Sequence, residues 1–113
     1  MAMKYYNGKR VYVTGGSSGI GLGIARQLAP LGADLLLFAR NGKKLEEARA
    51  AVRGSGGTGK VEIMPLDVSD DAMVKKVIDR AVRDFGAPDI IINSAGIGSA
   101  HYFESISYDE FDR

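Results

Sequence analysis

Apolar positions along this chain follow two rhythms: short unbroken runs, and longer stretches with helical spacing. Val11 and Val13 lie in a β-branched run that predicts a first strand over Arg10 to Thr14. Ile20, Ile24 and Leu28 share one helical stripe, which predicts a helix from Gly19 to about Ala29, stopped by Pro30 and Gly32. Leu35 to Ala39 is the second predicted strand, and Leu45, Ala48 and Val52 give a second helix over Lys43 to Val52. Six residues rich in glycine, Gly54-Ser55-Gly56-Gly57-Thr58-Gly59, predict a flexible loop. Val61 to Leu66 is the third strand. Ser69 is the expected N-cap of the third helix, with Asp70 and Asp71 in its first turn, where the helix dipole favours acids. The stripe Val74, Val77, Ile78, Ala81 and Phe85 is its buried side, and Gly86 ends it. Asp89 to Asn93 is the fourth strand, and Ser107-Tyr108-Asp109-Glu110 has the form of a capping box opening a fourth helix.

The character of each strand predicts its place in the sheet. Leu35-Leu36-Leu37-Phe38 and Ile90-Ile91-Ile92 are continuous apolar runs, as in parallel strands covered by helices on both faces. Val61 to Leu66 carries Glu62 and Pro65, and proline cannot donate to a sheet ladder, so this strand belongs at an edge. Right-handed crossovers make the doubly wound order 3-2-1-4 reachable, and that order puts it there. The expected fold is a three-layer α/β parallel sheet in one domain, residues 1–113. The fourth strand falls at the opposite edge although its sequence suits an interior. A neighbour for it is therefore expected outside this chain, and self-association near residues 89–93 is expected within it.

Bulk composition narrows the function. With 45% apolar residues the 113-residue chain can bury a core. Fifteen Lys and Arg against fourteen Asp and Glu leave a net charge of +1, which gives no support to a nucleic-acid or anionic-membrane partner. The absence of cysteine excludes disulfides, thiolate metal sites and cysteine nucleophiles. The start, Met1 to Tyr6, has no apolar region behind its lysine, and no run is long enough to cross a bilayer, so the expected location is cytoplasmic.

Thr14-Gly15-Gly16-Ser17-Ser18-Gly19-Ile20-Gly21 joins the first strand to the first helix. Small residues in such a turn permit a tight bend, let the backbone approach a pyrophosphate, and let helix and strand pack closely. The helix N-terminus then offers free N–H groups and a positive dipole end to phosphates. Gly15, Gly19 and Gly21 could also serve only the turn, Asp67 only a cap, and Asn93 only a strand end.

The spacing Thr-Gly-x-x-x-Gly-x-Gly resembles the short-chain dehydrogenase/reductase family. Asp67-Val68 after the third strand looks like its adenine-contacting pair. Asn93-Ser94-Ala95-Gly96 is similar to its Asn-Asn-Ala-Gly motif, with Ser94 replacing the second Asn. The resemblance implies a truncated Rossmann fold that binds a nicotinamide dinucleotide through Gly15, Ser17, Ser18, Gly19, Ile20, Gly21, Arg40, Asn41, Asp67, Val68, Asn93, Ala95 and Gly96. The stretch from Gly32-Ala33 through Ala39-Arg40-Asn41 to Lys44-Leu45 resembles ketosphinganine reductases and acyl-ketone reducers. NAD-selective members carry an acid at the end of the second strand, about 20 residues past the glycines. Here Ala39 stands in that place and Arg40 follows. A guanidinium suits a 2′-phosphate, which implies NADP(H), with NAD as the second choice.

The family's acid–base pair, Tyr-x-x-x-Lys, is expected beyond the fourth strand, in a half this chain lacks, so no catalytic residue and no metal ligand is assigned. Tyr5 and Lys9 match the spacing but precede the first strand, on the wrong side of the sheet. Gly54 to Lys60 nearly matches a phosphate-binding P-loop, but Val61 stands where Ser or Thr should bind magnesium. His101 is read as structural, and Asp67, Asp70 and Asp71 as caps rather than metal ligands. Two readings remain: the cofactor-binding part of an oxidoreductase acting on a carbonyl or alcohol, and a non-enzymatic dinucleotide-binding module.

Overall fold

A computed structural model describes residues 5–17 and 19–94. The elements run β1 (Arg10–Thr14), α1 (Gly19–Leu28), a 3-10 turn (Ala29–Leu31), β2 (Asp34–Ala39), α2 (Gly42–Arg53), β3 (Val61–Pro65), α3 (Asp71–Asp84) and β4 (Ile90–Asn93). The four strands form one parallel sheet in the order β3-β2-β1-β4, as the sequence predicts. Pro65 ends the edge strand opposite Ala39, where its missing N–H costs no ladder bond, and Leu66 N–H resumes the pattern by donating to the Ala39 carbonyl at 2.8 Å.

Strand alternation divides the core between the two faces of the sheet. Val11, Val13, Leu35 and Leu37 point to one face and pack with Ala25 and Leu28 of α1 and Leu45, Ala48 and Val52 of α2. Tyr12, Leu36 and Phe38 point to the other and pack with Val74, Ile78 and Ala81 of α3. β1 and β2 are thus sealed on both sides, whereas every residue of β4 is half-buried. Among the described residues β4 borders the sheet with no strand on its outer side.

Tyr12 places a hydroxyl within this core. Its ring lies 5.4 Å from Phe38 and 6.4 Å from Phe85, and its hydroxyl donates to the Gly86 carbonyl. Burial pushes the phenol well above its usual pKa, partly opposed by the Arg10 guanidinium, so it stays a donor. The Arg10 guanidinium donates to the Ala87 carbonyl at 3.0 Å and its backbone N–H donates to Asp89 Oδ2 at 2.9 Å, which fastens the α3–β4 turn to the start of β1.

Three expectations are corrected. Ile20 is 76% exposed, so the buried stripe of α1 is Gly21, Ala25 and Leu28, one position on from Ile20 and Ile24. The cap of α3 is Asp70, whose side chain accepts from Met73 N–H at 3.1 Å; Ser69 lies one residue outside and bonds Asp67 instead. The glycine-rich loop is a fitted connection. A Cβ on Gly57 would lie 2.0 Å from the Ala29 carbonyl oxygen, and one on Gly59 2.2 Å from that of Ala33. Lys60 N–H donates to Asp34 Oδ1 at 2.8 Å, and Arg26 reaches Ser55 at 3.3 Å. The loop closes the end of the sheet where strands begin, which also rules it out as a phosphate cradle at the other end. The fourth helix and His101 lie outside the described residues, and among those described no helix is long and apolar enough to cross a membrane.

Candidate functional site

Parallel strands bring their carboxyl ends to one rim, and all the described candidate residues stand there. β1 delivers Gly15 to Ser17 and the start of α1, β2 delivers Arg40 and Asn41, β3 delivers Asp67 and Val68, and β4 delivers Asn93. Ser18, Ala95 and Gly96 lie outside the described residues. Tyr5 and Lys9 are at the opposite rim, where the Lys9 ammonium lies 4.9 Å from the Tyr5 ring centre and the Lys9 carbonyl accepts from Asp34 N–H at 2.8 Å.

The glycines of the turn answer to different demands. Gly15 has φ +69° and lies against Ser94, whose Oγ would be 2.8 Å from a Cβ added there. Gly21 is needed for packing: its Cβ would meet the Gly15 carbonyl oxygen at 2.3 Å. Gly16, which the spacing passes over, is buried with Leu37 3.1 Å from its missing Cβ. The N–H groups of Gly15 and Gly16 both donate to the Phe38 carbonyl, at 2.8 and 3.1 Å, and dock the turn on the end of β2. Gly19 differs. Its φ is +60°, yet among the described residues nothing lies within 4 Å of its would-be Cβ, so none of them covers its backbone at the start of α1. The first turn of α1 carries no acid to neutralise the dipole. Such a rim has the features of an anion-binding helix start: free N–H groups, an unneutralised dipole and close backbone access.

Ser94 and Thr14 hold this turn from the β4 side. Ser94 Oγ donates to the Thr14 carbonyl at 2.6 Å, and its N–H reaches the same oxygen at 3.2 Å. The buried Thr14 hydroxyl donates to Asn93 Oδ1 at 3.0 Å. Sequence reasoning marked Asn93 but not Thr14 or Ser94 as the pair of locks; the only signal was that Ser94 departs from the family's Asn.

Arg40 is exposed just beyond β2. Asn41 caps α2, its side-chain oxygen accepting from Lys44 N–H at 3.0 Å, so it has a structural role at the rim. Asp67 Oδ1 accepts from the Ser69 hydroxyl at 2.6 Å and from Ser69 N–H at 3.0 Å. Those two bonds, with Arg40 adding to them against a small cost of burial, hold the Asp67 carboxyl below the ordinary carboxylate range. It is therefore an ionised acceptor at neutral pH. Val68 is half-buried against the α3 face.

A Rossmann-like sheet with a glycine turn, an arginine and an acceptor on one rim has the architecture of the dinucleotide-binding α/β folds. The short chain dehydrogenase family profile matches residues 9–113, and the chain belongs to that family, whose members are oxidoreductases. An uncharacterized oxidoreductase of Mycobacterium tuberculosis is 41% identical over 105 residues, which are 90% of this chain and 30% of that protein. L-sorbose reductase from Gluconobacter frateurii, solved with NADPH and L-sorbose, superposes with a TM-score of 0.75 at 37% identity, covering 86% of this chain and 36% of the reductase. NAD+-bound xylitol dehydrogenase superposes with a TM-score of 0.82 at 30% identity, covering 92% of this chain and 48% of the dehydrogenase. The chain thus spans less than half the length of these relatives.

Proposed function

We propose that the chain is the NADP(H)-binding part of a short-chain oxidoreductase acting on a carbonyl or alcohol. The observation that carries this reading is Arg40, exposed on the same rim as the open Gly19 turn and following Ala39 where an acid would favour NAD. The residues present suit the group. Gly15, Ser17, Gly19 and Ile20, with the first N–H groups of α1, would take the pyrophosphate, and Ser18 and Gly21 complete that turn. Asp67 and Val68 would take the adenine, and Arg40 with Asn41 the 2′-phosphate. Asn93, Ala95 and Gly96 would lie along the path to the nicotinamide. The exposed Ile20 side chain is accounted for as a surface the dinucleotide covers. When bound, the nicotinamide ring supplies or accepts a hydride.

Among the described residues no Tyr–Lys pair stands at this rim, so the 113-residue chain alone is expected to reduce no carbonyl substrate. The NADPH and NAD+ bound in the two related structures bracket the choice of cofactor, and Arg40 favours the former. The relatives lend no support to a ketosphinganine substrate in particular.

The test is calorimetry with NADPH and NADH at low salt. A charge-assisted hydrogen bond is worth roughly 1.5–3 kcal/mol, so NADPH is expected to bind about ten- to a hundredfold more tightly. Arg40→Ala should remove most of that difference while leaving NADH unchanged. Equal affinities in the parent chain would overturn the cofactor assignment.

A further inference from the structure

An aspartate on a loop offers two equivalent oxygens and turns freely about its last bond. Asp67 has lost that freedom. Both Ser69 donors fall on Oδ1, at 2.6 Å from the hydroxyl and 3.0 Å from the N–H, and among the described residues no hydrogen bond reaches Oδ2. The surrounding backbone is fixed as well. Asp70 N–H donates to the Asp67 carbonyl at 3.1 Å, and Asp70 in turn caps α3. Leu66 is buried on the preceding side and Val68 packs against the α3 face. The Asx turn needs only the Ser69 N–H. The hydroxyl bond is an addition to the turn, and it orients the carboxylate plane.

We propose that Ser69 is a positioning residue for adenine recognition: by occupying Asp67 Oδ1 it leaves Oδ2 as the one open acceptor for the exocyclic amine of the base. The inference rests on the dinucleotide-binding reading above and extends it to a residue outside the glycine, Asp-Val and Asn motifs. The chemistry discriminates between bases. An ionised carboxylate only accepts, so it favours the amine of adenine and opposes a carbonyl at the same place. A fixed oxygen discriminates more sharply than a rotating one, because no ordering remains to be done on binding.

The experiment uses the full chain and two probes, NADPH and its hypoxanthine counterpart, in which a carbonyl replaces the adenine amine. Ser69→Ala keeps the backbone N–H and hence the turn. It is expected to weaken NADPH about three- to tenfold and to leave the hypoxanthine dinucleotide unchanged or slightly better bound. Ser69→Thr, which restores a hydroxyl, should behave like the parent. A thermal melt of each variant shows that both are folded. Equal weakening of both probes would reduce Ser69 to a turn former, and no weakening of either would leave its hydroxyl without a role; each result overturns the proposal while the dinucleotide reading stands. Failure of the parent chain to bind either dinucleotide would instead overturn the reading on which the proposal rests.

Discussion

Ser94 and Gly21 meet where β4 closes on the glycine turn between β1 and α1: the serine oxygen lies 2.6 Å from the place a Cβ on Gly21 would take. The same oxygen donates to the Thr14 carbonyl, so the end of β4, the end of β1 and the start of α1 share one contact point. The glycines are required here by the neighbouring chain, whereas Gly19 is required by what the rim leaves open.

That contrast separates packing from binding. Gly21→Ala is expected to destabilise the fold by about 1–3 kcal/mol, the usual cost of forcing extra volume into a filled space. Among the described residues Gly19→Ala meets no neighbour, and against them it bears the left-handed backbone penalty, about 1–2 kcal/mol. Yet it should weaken NADPH binding in a protein that remains folded, because its methyl group enters the open cradle. Denaturation curves and calorimetry on the two variants check this; unimpaired NADPH binding by Gly19→Ala would show that the turn serves packing alone.

Tyr12 links stability to alkaline pH. Its phenol has a folded-state pKa raised above the unfolded value, so its contribution is fully present below the unfolded pKa, about 10, and declines as pH climbs beyond it. Tyr12 should be the last tyrosine to ionise in an ultraviolet titration, together with unfolding. Tyr12→Phe leaves the Gly86 carbonyl without this donor and should cost about 1 kcal/mol at neutral pH, with a smaller loss of stability above pH about 10. Free titration of every tyrosine in the folded protein would contradict the buried bond.

The glycine-rich loop should be more sensitive at Gly57 than at Gly56. Gly56 and Gly57 have similar dihedrals, φ +101° and +103°, but only Gly57 presses on the Ala29 carbonyl. Both alanine variants carry backbone strain, and Gly57→Ala adds a clash with backbone that cannot yield. Its melting point should fall well below that of Gly56→Ala. Equal melting points would mean that the loop is as loose as its composition suggests.

β4 predicts association of the chain. Its half-buried Ile90, Ile91 and Ile92 border the sheet among the described residues, and an unpaired apolar edge recruits another strand. Light scattering over a range of concentrations should show self-association that a charged substitution, Ile91→Lys, suppresses. A monomer at every concentration would refute this.

Strand order was readable because it depends on residue character within single segments: Pro65 marks an edge, and Leu35 to Phe38 a covered strand. The rim residues Arg40, Asp67 and Asn93 were readable because parallel topology sends every strand's carboxyl end the same way. What stayed hidden depends on partners distant in sequence. Gly57 is explained by Ala29, and Gly16 by Leu37, contacts that no local pattern carries. Ile20 fits a helical stripe as well as Gly21 does, and only the sheet's position decides which of them faces it. Ser69 and Asp70 are both good caps, and the choice fell to Asp70 because Ser69 was drawn back to Asp67.

The half-buried state of β4 also has a kinetic side. Among the described strands β3 and β4 are held on one flank, and such strands open locally at a lower free energy than strands held on both, so amide exchange should be faster in these two than in β1 and β2. When β4 peels away, Ser94 releases the Thr14 carbonyl and the turn loses its hold on the β4 side while keeping its bonds to Phe38. Strand closure and turn occupancy then form a single linked equilibrium. Any ligand that needs the seated turn would slow exchange at Ile91 and Ile92, residues it never touches, in proportion to its concentration over its dissociation constant.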